Sequence, residues 1–235
     1  MTQRAVAFAD MYNFRDLGGY PAAGGRTTAW QRIYRSDDLC RLTDEDKTRF
    51  AELGIRTVID LRRPQEVLHR GRVPEFTGVD YHNLHLVYTD WDMRPFTEVD
   101  KRSAFLQERY LDMAVTGAEA IGASLRLIAD AQASPLVVHC IAGKDRTGMV
   151  CALTLSLLGV ADEIVAADYA LSEEPAIAYH TRNGADPYPT LIAPAAAMLG
   201  FLDGLRATHD SIESYVRSLG VTDAHLAAMR THLLA

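Results

Sequence analysis

Leu136-Val137-Val138-His139-Cys140-Ile141-Ala142-Gly143-Lys144-Asp145-Arg146-Thr147-Gly148 is the stretch from which the rest of this chain is read. Leu136 to Val138 is a short apolar run and predicts a buried strand. Cys140 to Arg146 reads as a loop, with a cysteine at its start and an arginine six positions later. From Thr147 on, Met149, Val150, Ala152, Leu153, Leu155, Leu157 and Leu158 predict a strongly apolar helix. A strand feeding a loop that opens a helix is an anion-binding device. The loop N–H groups point inward, and the helix N-terminus adds partial positive charge. Here the backbone of Ile141, Ala142, Gly143 and Lys144 forms the expected cradle. A cysteine at its bottom has its thiolate stabilised. An arginine at its rim gives a tetrahedral oxyanion a planar, bidentate clamp. Cys140 as nucleophile and Arg146 as clamp therefore suit covalent phosphoryl transfer through a phosphocysteine. No metal or cofactor is expected, because arginine and backbone donors supply the positive charge.

The composition around this stretch is that of an ordinary soluble protein. The chain has 235 residues, 48% of them hydrophobic and 23% charged, which is ample for a core. Twenty-four Lys and Arg against 31 Asp and Glu give a net charge of −7, which argues against a general nucleic-acid binder. Three cysteines, Cys40, Cys140 and Cys151, are too few and too scattered for a disulfide framework or a zinc site. They fit a reducing compartment. No run is long enough for a membrane span. The first fourteen residues lack a hydrophobic signal segment, so the expected location is the cytoplasm, with export by another route left open.

Upstream, Asn13 to Arg26 carries two Gly-Gly pairs around Pro21 and predicts a hairpin, with Gln31 to Tyr34 as the return strand. Thr43 caps a helix to about Leu53. Arg56 to Leu61 predicts a buried strand, Pro64 opens a helix, and Val79 to Val87 alternates as a strand. Lys101–Met113 and Thr116–Ala131 are helical patterns. Downstream, helices are expected over Ala161–Leu171, Leu191–Ala207, Ser211–Leu219 and Thr222–Leu234. The expectation is one α/β domain over 1–235, its central, mostly parallel sheet flanked by helices and followed by a helical C-terminal half.

Several aspartates compete for the role of general acid, which must protonate the leaving oxygen. In an open α/β sheet, ligands gather at the carboxyl ends of the strands. Asp60 ends one strand, Asp90 and Asp92 follow another, and Asp145 lies in the loop itself. Asp60 has a structural alternative as partner of Arg62 or Arg146, Asp90 and Asp92 as loop caps, and Asp145 as partner of Lys144. Thr147 is a donor to the Cys140 sulfur, a helix N-cap, or both. His139 is expected to orient the loop through backbone hydrogen bonds. Cys151 reads as core, and Cys40 as a partly buried apolar residue.

At His139-Cys140, with five residues before Arg146-Thr147, the sequence resembles the cysteine-based protein tyrosine phosphatase superfamily. NFRDLGGY from Asn13, RIYRSDDLCRLTDED from Arg32, LGIRTVIDLRRPQE from Leu53 and HCIAGKDRTG from His139 resemble its bacterial tyrosine-serine phosphatase family. VADEIVAADYALS from Val160 is a weaker match. The resemblance implies a phosphotyrosine-phosphatase-like fold and a loop in which Cys140 attacks and Arg146 stabilises the transition state. It implies phosphotyrosine monoesters as substrates, with phosphoserine, phosphothreonine and phosphoinositides in some members. Lys144 matches a lysine of phosphoinositide 3-phosphatases. Asp60 matches the acid proposed in near relatives, and Asp90 or Asp92 the acid of classical members, although the usual Trp-Pro-Asp order is absent. The resemblance also implies a helical lid, for which about 187–207 is the candidate. A phosphoinositide or small-metabolite phosphatase is the second reading and a non-catalytic phosphate-binding module the third. Rhodanese or arsenate reductase chemistry fits the Gly143-Lys144-Asp145 interior less well.

Overall fold

A computed structural model describes residues 4–75, 79–87, 91, 98–182, 184 and 192–235. In chain order its main elements begin with β1 (Arg15–Asp16), β2 (Ile33–Ser36), α1 (Asp44–Glu52), β3 (Thr57–Asp60), α2 (Pro64–Arg70) and β4 (Asp80–Asn83). Next come α3 (Val99–Thr116), α4 (Ala118–Ala129), β5 (Leu136–His139) and α5 (Asp145–Leu157). The chain continues through α6 (Asp162–Ala170), α7 (Glu173–Arg182), α8 (Ala195–His209), α9 (Ile212–Ser218) and α10 (Asp223–His232). The strands form one sheet of order β1-β2-β5-β3-β4. Only β1 pairs antiparallel; β2, β5, β3 and β4 are parallel.

Side chains on β3 and β5 alternate between the two faces of this sheet, as a period of two requires. Val58 and Val137 join Phe14, Tyr34 and Phe50 on one face. Ile59, Leu136 and Val138 join the helices on the other. Strands buried on both faces read as unbroken apolar runs, as parallel strands do. α5 is buried along nearly its whole length, from Arg146 to Leu155, which explains why it is apolar all round rather than on one stripe.

The register of the sheet places the site. Ser36 lies opposite His139, and His139 opposite Asp60. The carboxyl ends of β2, β5 and β3 are therefore level, and Asp37, Cys140 and Leu61 leave the sheet side by side. This is the edge at which open α/β sheets bind ligands.

The expected elements differ from the observed ones in ways with physical causes. The return strand begins at Ile33 rather than Gln31, because Gln31 sits in a turn with φ of 58°. β4 stops at Asn83, whose Nδ2 donates to the carbonyls of Asp60 and Arg62; the next backbone link to that edge is the Leu86 N–H to the Leu61 carbonyl. α5 begins at Asp145, so Arg146 occupies its first turn rather than the loop, and Thr147 lies inside that turn and is not the N-cap. α7 has no counterpart in the expected elements. Its Pro175 falls in the first turn, where the missing N–H costs nothing. The apolar helix of the expected lid is α8, whose Ala197, Met198, Phe201, Leu202 and Leu205 are buried. It packs against α3 and α6. Residues 187–191 of that stretch lie outside the described residues.

Candidate active site

The loop after β5 is held by its carbonyls. Asn13 Nδ2 donates to the carbonyls of Ala142 at 2.9 Å and Gly143 at 3.1 Å. Arg35 Nη2 donates to the Gly143 carbonyl at 2.7 Å. A trans peptide sets its N–H opposite its C=O. The N–H groups of Gly143 and Lys144 therefore point away from Asn13 and Arg35, toward the loop interior. Gly143 is needed twice over. Its φ is +64°, and an added Cβ would meet the Ser36 carbonyl oxygen at 2.4 Å. The N-cap of α5 is Lys144, which makes no side-chain cap. The first-turn N–H groups thus lack the side-chain acceptor that usually occupies a helix N-terminus. Cys140 directly follows β5 at the start of the same loop and is 3% exposed.

Arg146 is fixed in plane by a residue that sequence reading missed. Its Nη1 and Nη2 donate to Glu66 Oε2 at 2.6 Å and Oε1 at 3.1 Å. The Arg63 N–H also donates to Glu66 Oε2 at 2.7 Å, in the first turn of α2. Burial opposes the charge on Glu66, but the Arg146 hydrogen bonds and charge outweigh it and hold the carboxyl below its ordinary range. The signal was present as Pro64-Gln65-Glu66, a helix start with an acidic residue in its first turn. Glu66→Gln keeps the size but replaces one acceptor by a donor facing Arg146. It is expected to lower kcat/KM for an aryl phosphate by about 10- to 100-fold and to weaken inorganic phosphate as an inhibitor. Unchanged kinetics in a folded variant would remove Glu66 from the aiming of Arg146.

The expected site aspartates lie in different surroundings. Asp60 is fully buried and accepts from Arg62 Nη2 at 2.6 Å, Arg62 Nε at 2.9 Å and the Tyr81 hydroxyl at 2.8 Å. Burial works against its charge, but His139 and the Arg62 guanidinium hold it down to about 2. Arg62 also donates to Asp38, which takes Arg70 on its other oxygen. Asp60 thus sits in a buried ion network. Its folded value lies below the unfolded 3.8, so it contributes stability above about pH 4 that is lost as pH falls through 2. Asp60→Asn is expected to cost roughly 2 kcal/mol at pH 7 in urea unfolding. The gap from the native protein should close as both are titrated from pH 4 to 2, and a pH-independent gap contradicts the assignment.

Asp145, at the start of α5, accepts on Oδ1 from Lys144 Nζ at 2.8 Å and from the Tyr110 hydroxyl at 2.6 Å. Lys144 is 2% exposed and also donates to the Ile192 carbonyl at 3.3 Å. Asp90 and Asp92 lie outside the described residues. Thr147 Oγ1 is buried with no hydrogen-bond partner, so no bond to the Cys140 sulfur is formed in this structure. His139 Nδ1 lies 3.2 Å from the Cys140 carbonyl oxygen, to which an N–H there donates, and burial pushes the ring toward its neutral form.

Behind the loop, a second buried network bears on it. Asp168 of α6 accepts from Arg15 Nε at 3.0 Å, Arg35 Nη1 at 2.6 Å and the Tyr20 hydroxyl at 2.8 Å. Burial alone would raise its carboxyl, but the two guanidiniums drive it well below the usual range. Arg35 therefore links Asp168 to the Gly143 carbonyl. Asp37, at the end of β2, accepts from the N–H groups of Tyr12 and Asn13, which seats the Asn13 side chain on the loop. Burial pushes Asp37 up to about 6 against those donors.

The sequence pattern of the tyrosine phosphatase family matches residues 6–235, nearly the whole chain. The chain belongs to the tyrosine phosphatase family. The chain is 30% identical, over 98% of its length and 88% of the relative's, to a protein of Cupriavidus necator provisionally named a tyrosine-protein phosphatase. It is 29% identical to the triple specificity protein phosphatase PtpB of Mycobacterium tuberculosis, over 95% of this chain and 96% of that one. A tyrosine-protein phosphatase of Nostoc commune is 27% identical over 91% and 78% of the two chains. By this membership the protein is a phosphatase. No helix among the described residues is long and apolar enough to cross a membrane.

Proposed function

We propose that this phosphatase hydrolyses phosphotyrosine monoesters through a phosphocysteine on Cys140. One arrangement carries this reading: Cys140 opens a loop whose carbonyls are held by Asn13 and Arg35, and which leads into a helix without a side-chain cap and an Arg146 whose plane Glu66 fixes. In the first step the Cys140 thiolate attacks phosphorus, an S–P bond forms and the P–O bond to the leaving oxygen breaks. A protonated acid gives that oxygen its proton. In the second step water attacks phosphorus, the S–P bond breaks, and its electron pair returns to the thiolate. The same carboxylate takes a proton from the water, and inorganic phosphate leaves. Backbone N–H groups of the loop and the Arg146 guanidinium hold the equatorial oxygens throughout. Thr147 Oγ1, buried and without a hydrogen-bond partner, is the hydroxyl we assign to donate to the departing thiolate once the side chain turns to it.

Two observations favour Asp60 as an anchor over Asp60 as the acid. Against the effect of burial, His139 and the Arg62 guanidinium hold its carboxyl down to about 2, and its oxygens are engaged by Arg62 and Tyr81. We assign it the role of holding the end of β3. We infer that the acid is Asp90 or Asp92, with Asp145, whose Oδ1 is engaged by Lys144 and Tyr110, as the third aspartate compared in the test. The nearly buried Lys144 favours substrates with a second anionic group, so phosphoserine, phosphothreonine and phosphoinositide monoesters extend the substrate range. The unpaired thiols Cys40, Cys140 and Cys151 fit the cytoplasm.

A leaving-group series tests the reading. The native enzyme is expected to turn over 4-nitrophenyl phosphate and phosphotyrosine peptide with a chelator present and to be inhibited by vanadate. Asparagine at the acid position is expected to cost about 10²- to 10⁴-fold on the poor leaving group and far less on 4-nitrophenol. The same small loss on both for all three aspartates, or loss of activity on chelation, would contradict the mechanism.

A further inference from the structure

Two tyrosines outside the phosphate loop reach into its ion pair. The Tyr110 hydroxyl of α3 donates to Asp145 Oδ1 at 2.6 Å, and the Tyr169 hydroxyl of α6 lies 2.6 Å from the Tyr110 oxygen. A phenol carries one proton. Tyr110 spends it on Asp145, so Tyr169 must donate to Tyr110. The direction of the chain is fixed: Tyr169 to Tyr110 to Asp145, with Lys144 Nζ arriving on the same carboxylate oxygen at 2.8 Å.

The chain is also rigid. Tyr110 is 0% exposed and Tyr169 1%. The Tyr110 ring meets Tyr169 edge-on at 6.0 Å and Phe201 of α8 edge-on at 6.1 Å, so its hydroxyl cannot swing away. A Cβ added at Gly148 would meet the Tyr169 ring at 2.9 Å, so that glycine makes room for the second tyrosine directly behind the loop. Burial and the Asp145 charge push the Tyr110 phenol well above its ordinary range, which keeps it a donor at every working pH.

We propose that Tyr110, backed by Tyr169, is a positioning residue that shares Asp145 Oδ1 with Lys144 and so limits how far Asp145 cancels the Lys144 charge toward substrate. Without Tyr110, Asp145 turns wholly to Lys144, and the ammonium contributes less to a substrate anion. The effect falls on substrates with a second negative group beside the scissile phosphate, because the ester itself is held by Arg146 and backbone N–H groups. This inference rests on the phosphatase reading above.

The test uses a matched pair of substrates, phenyl phosphate and 3-carboxyphenyl phosphate, and reads the ratio of their kcat/KM values. Tyr110→Phe is expected to lower the ratio, carboxylated over plain, by about tenfold, mainly through KM, and Tyr169→Phe by about threefold. Lys144→Ala is expected to lower it as far as Tyr110→Phe, and the double variant no further. A merely structural tyrosine would slow both substrates alike and add to Lys144→Ala. An unchanged ratio in Tyr110→Phe, or additive losses in the double variant, overturns the proposal. If Tyr110→Phe does not fold, the Tyr169→Phe ratio decides in the same way. Failure of the native enzyme on both substrates would instead sink the phosphatase reading, and this inference with it.

Discussion

Replacing Cys140 by serine is expected to abolish turnover of any phosphate monoester, with kcat lower by at least about 10⁴-fold. Serine keeps the volume of the side chain, and the loop is held by contacts that the sulfur does not make. Asn13 and Arg35 grip the carbonyls of Ala142 and Gly143, and Glu66 grips Arg146. Inorganic phosphate should therefore bind Cys140→Ser within a few-fold of the native affinity, by calorimetric titration. The split between lost chemistry and kept binding is the informative result. Lost binding would mean that the sulfur shapes the cradle, and retained turnover would mean that a group other than Cys140 attacks phosphorus.

The largest stability effect is expected at Asp168, far from Cys140 in sequence. Its carboxylate is the anion shared by Arg15 and Arg35, with side-chain exposures of 6% and 1%. Asp168→Asn leaves two buried guanidiniums without that charge. Breaking a buried pair in this way costs about 3–5 kcal/mol, because the remaining ion stays desolvated and uncompensated. In a chain of this size that lowers Tm by roughly 10 °C. Activity should fall as well, since Arg35 also holds the Gly143 carbonyl. Removing one cation at the same time, as Arg15→Met in the Asp168→Asn background, should recover part of the Tm. An unchanged Tm in Asp168→Asn would show that Arg15 and Arg35 find other acceptors and that the network does not carry the loop.

The candidate site was legible in the sequence where its residues are local. Cys140, Gly143 and Arg146 stand within seven residues, and the apolar runs on either side announce the strand and helix that present them. The α/β class and the register-bearing strands followed from the same periodicity. The partners of the loop were not legible, because each reaches it across the fold: Asn13 from the segment before β1, Arg35 from β2, Glu66 from α2, Asp168 and Tyr169 from α6, Tyr110 from α3. A charged residue inside an otherwise buried strand, as Arg35 is in Ile33-Tyr34-Arg35-Ser36, signals a buried ion pair but cannot say with whom. Asp60 shows the limit from the other side. Its place at a strand end fits an acid as well as it fits an anchor, and its contacts with Arg62 and Tyr81 could not be read from that place. α7 went unseen because a proline three residues into a helix resembles a break until its first-turn position is known.

The most direct test of the covalent mechanism is to catch the intermediate. Native enzyme mixed with 4-nitrophenyl phosphate, quenched in acid within one turnover, digested and weighed by mass spectrometry should carry one phosphoryl group on the peptide that contains Cys140, and Cys140→Ser should carry none. A phosphoryl group on another residue, or turnover by Cys140→Ser, would contradict it.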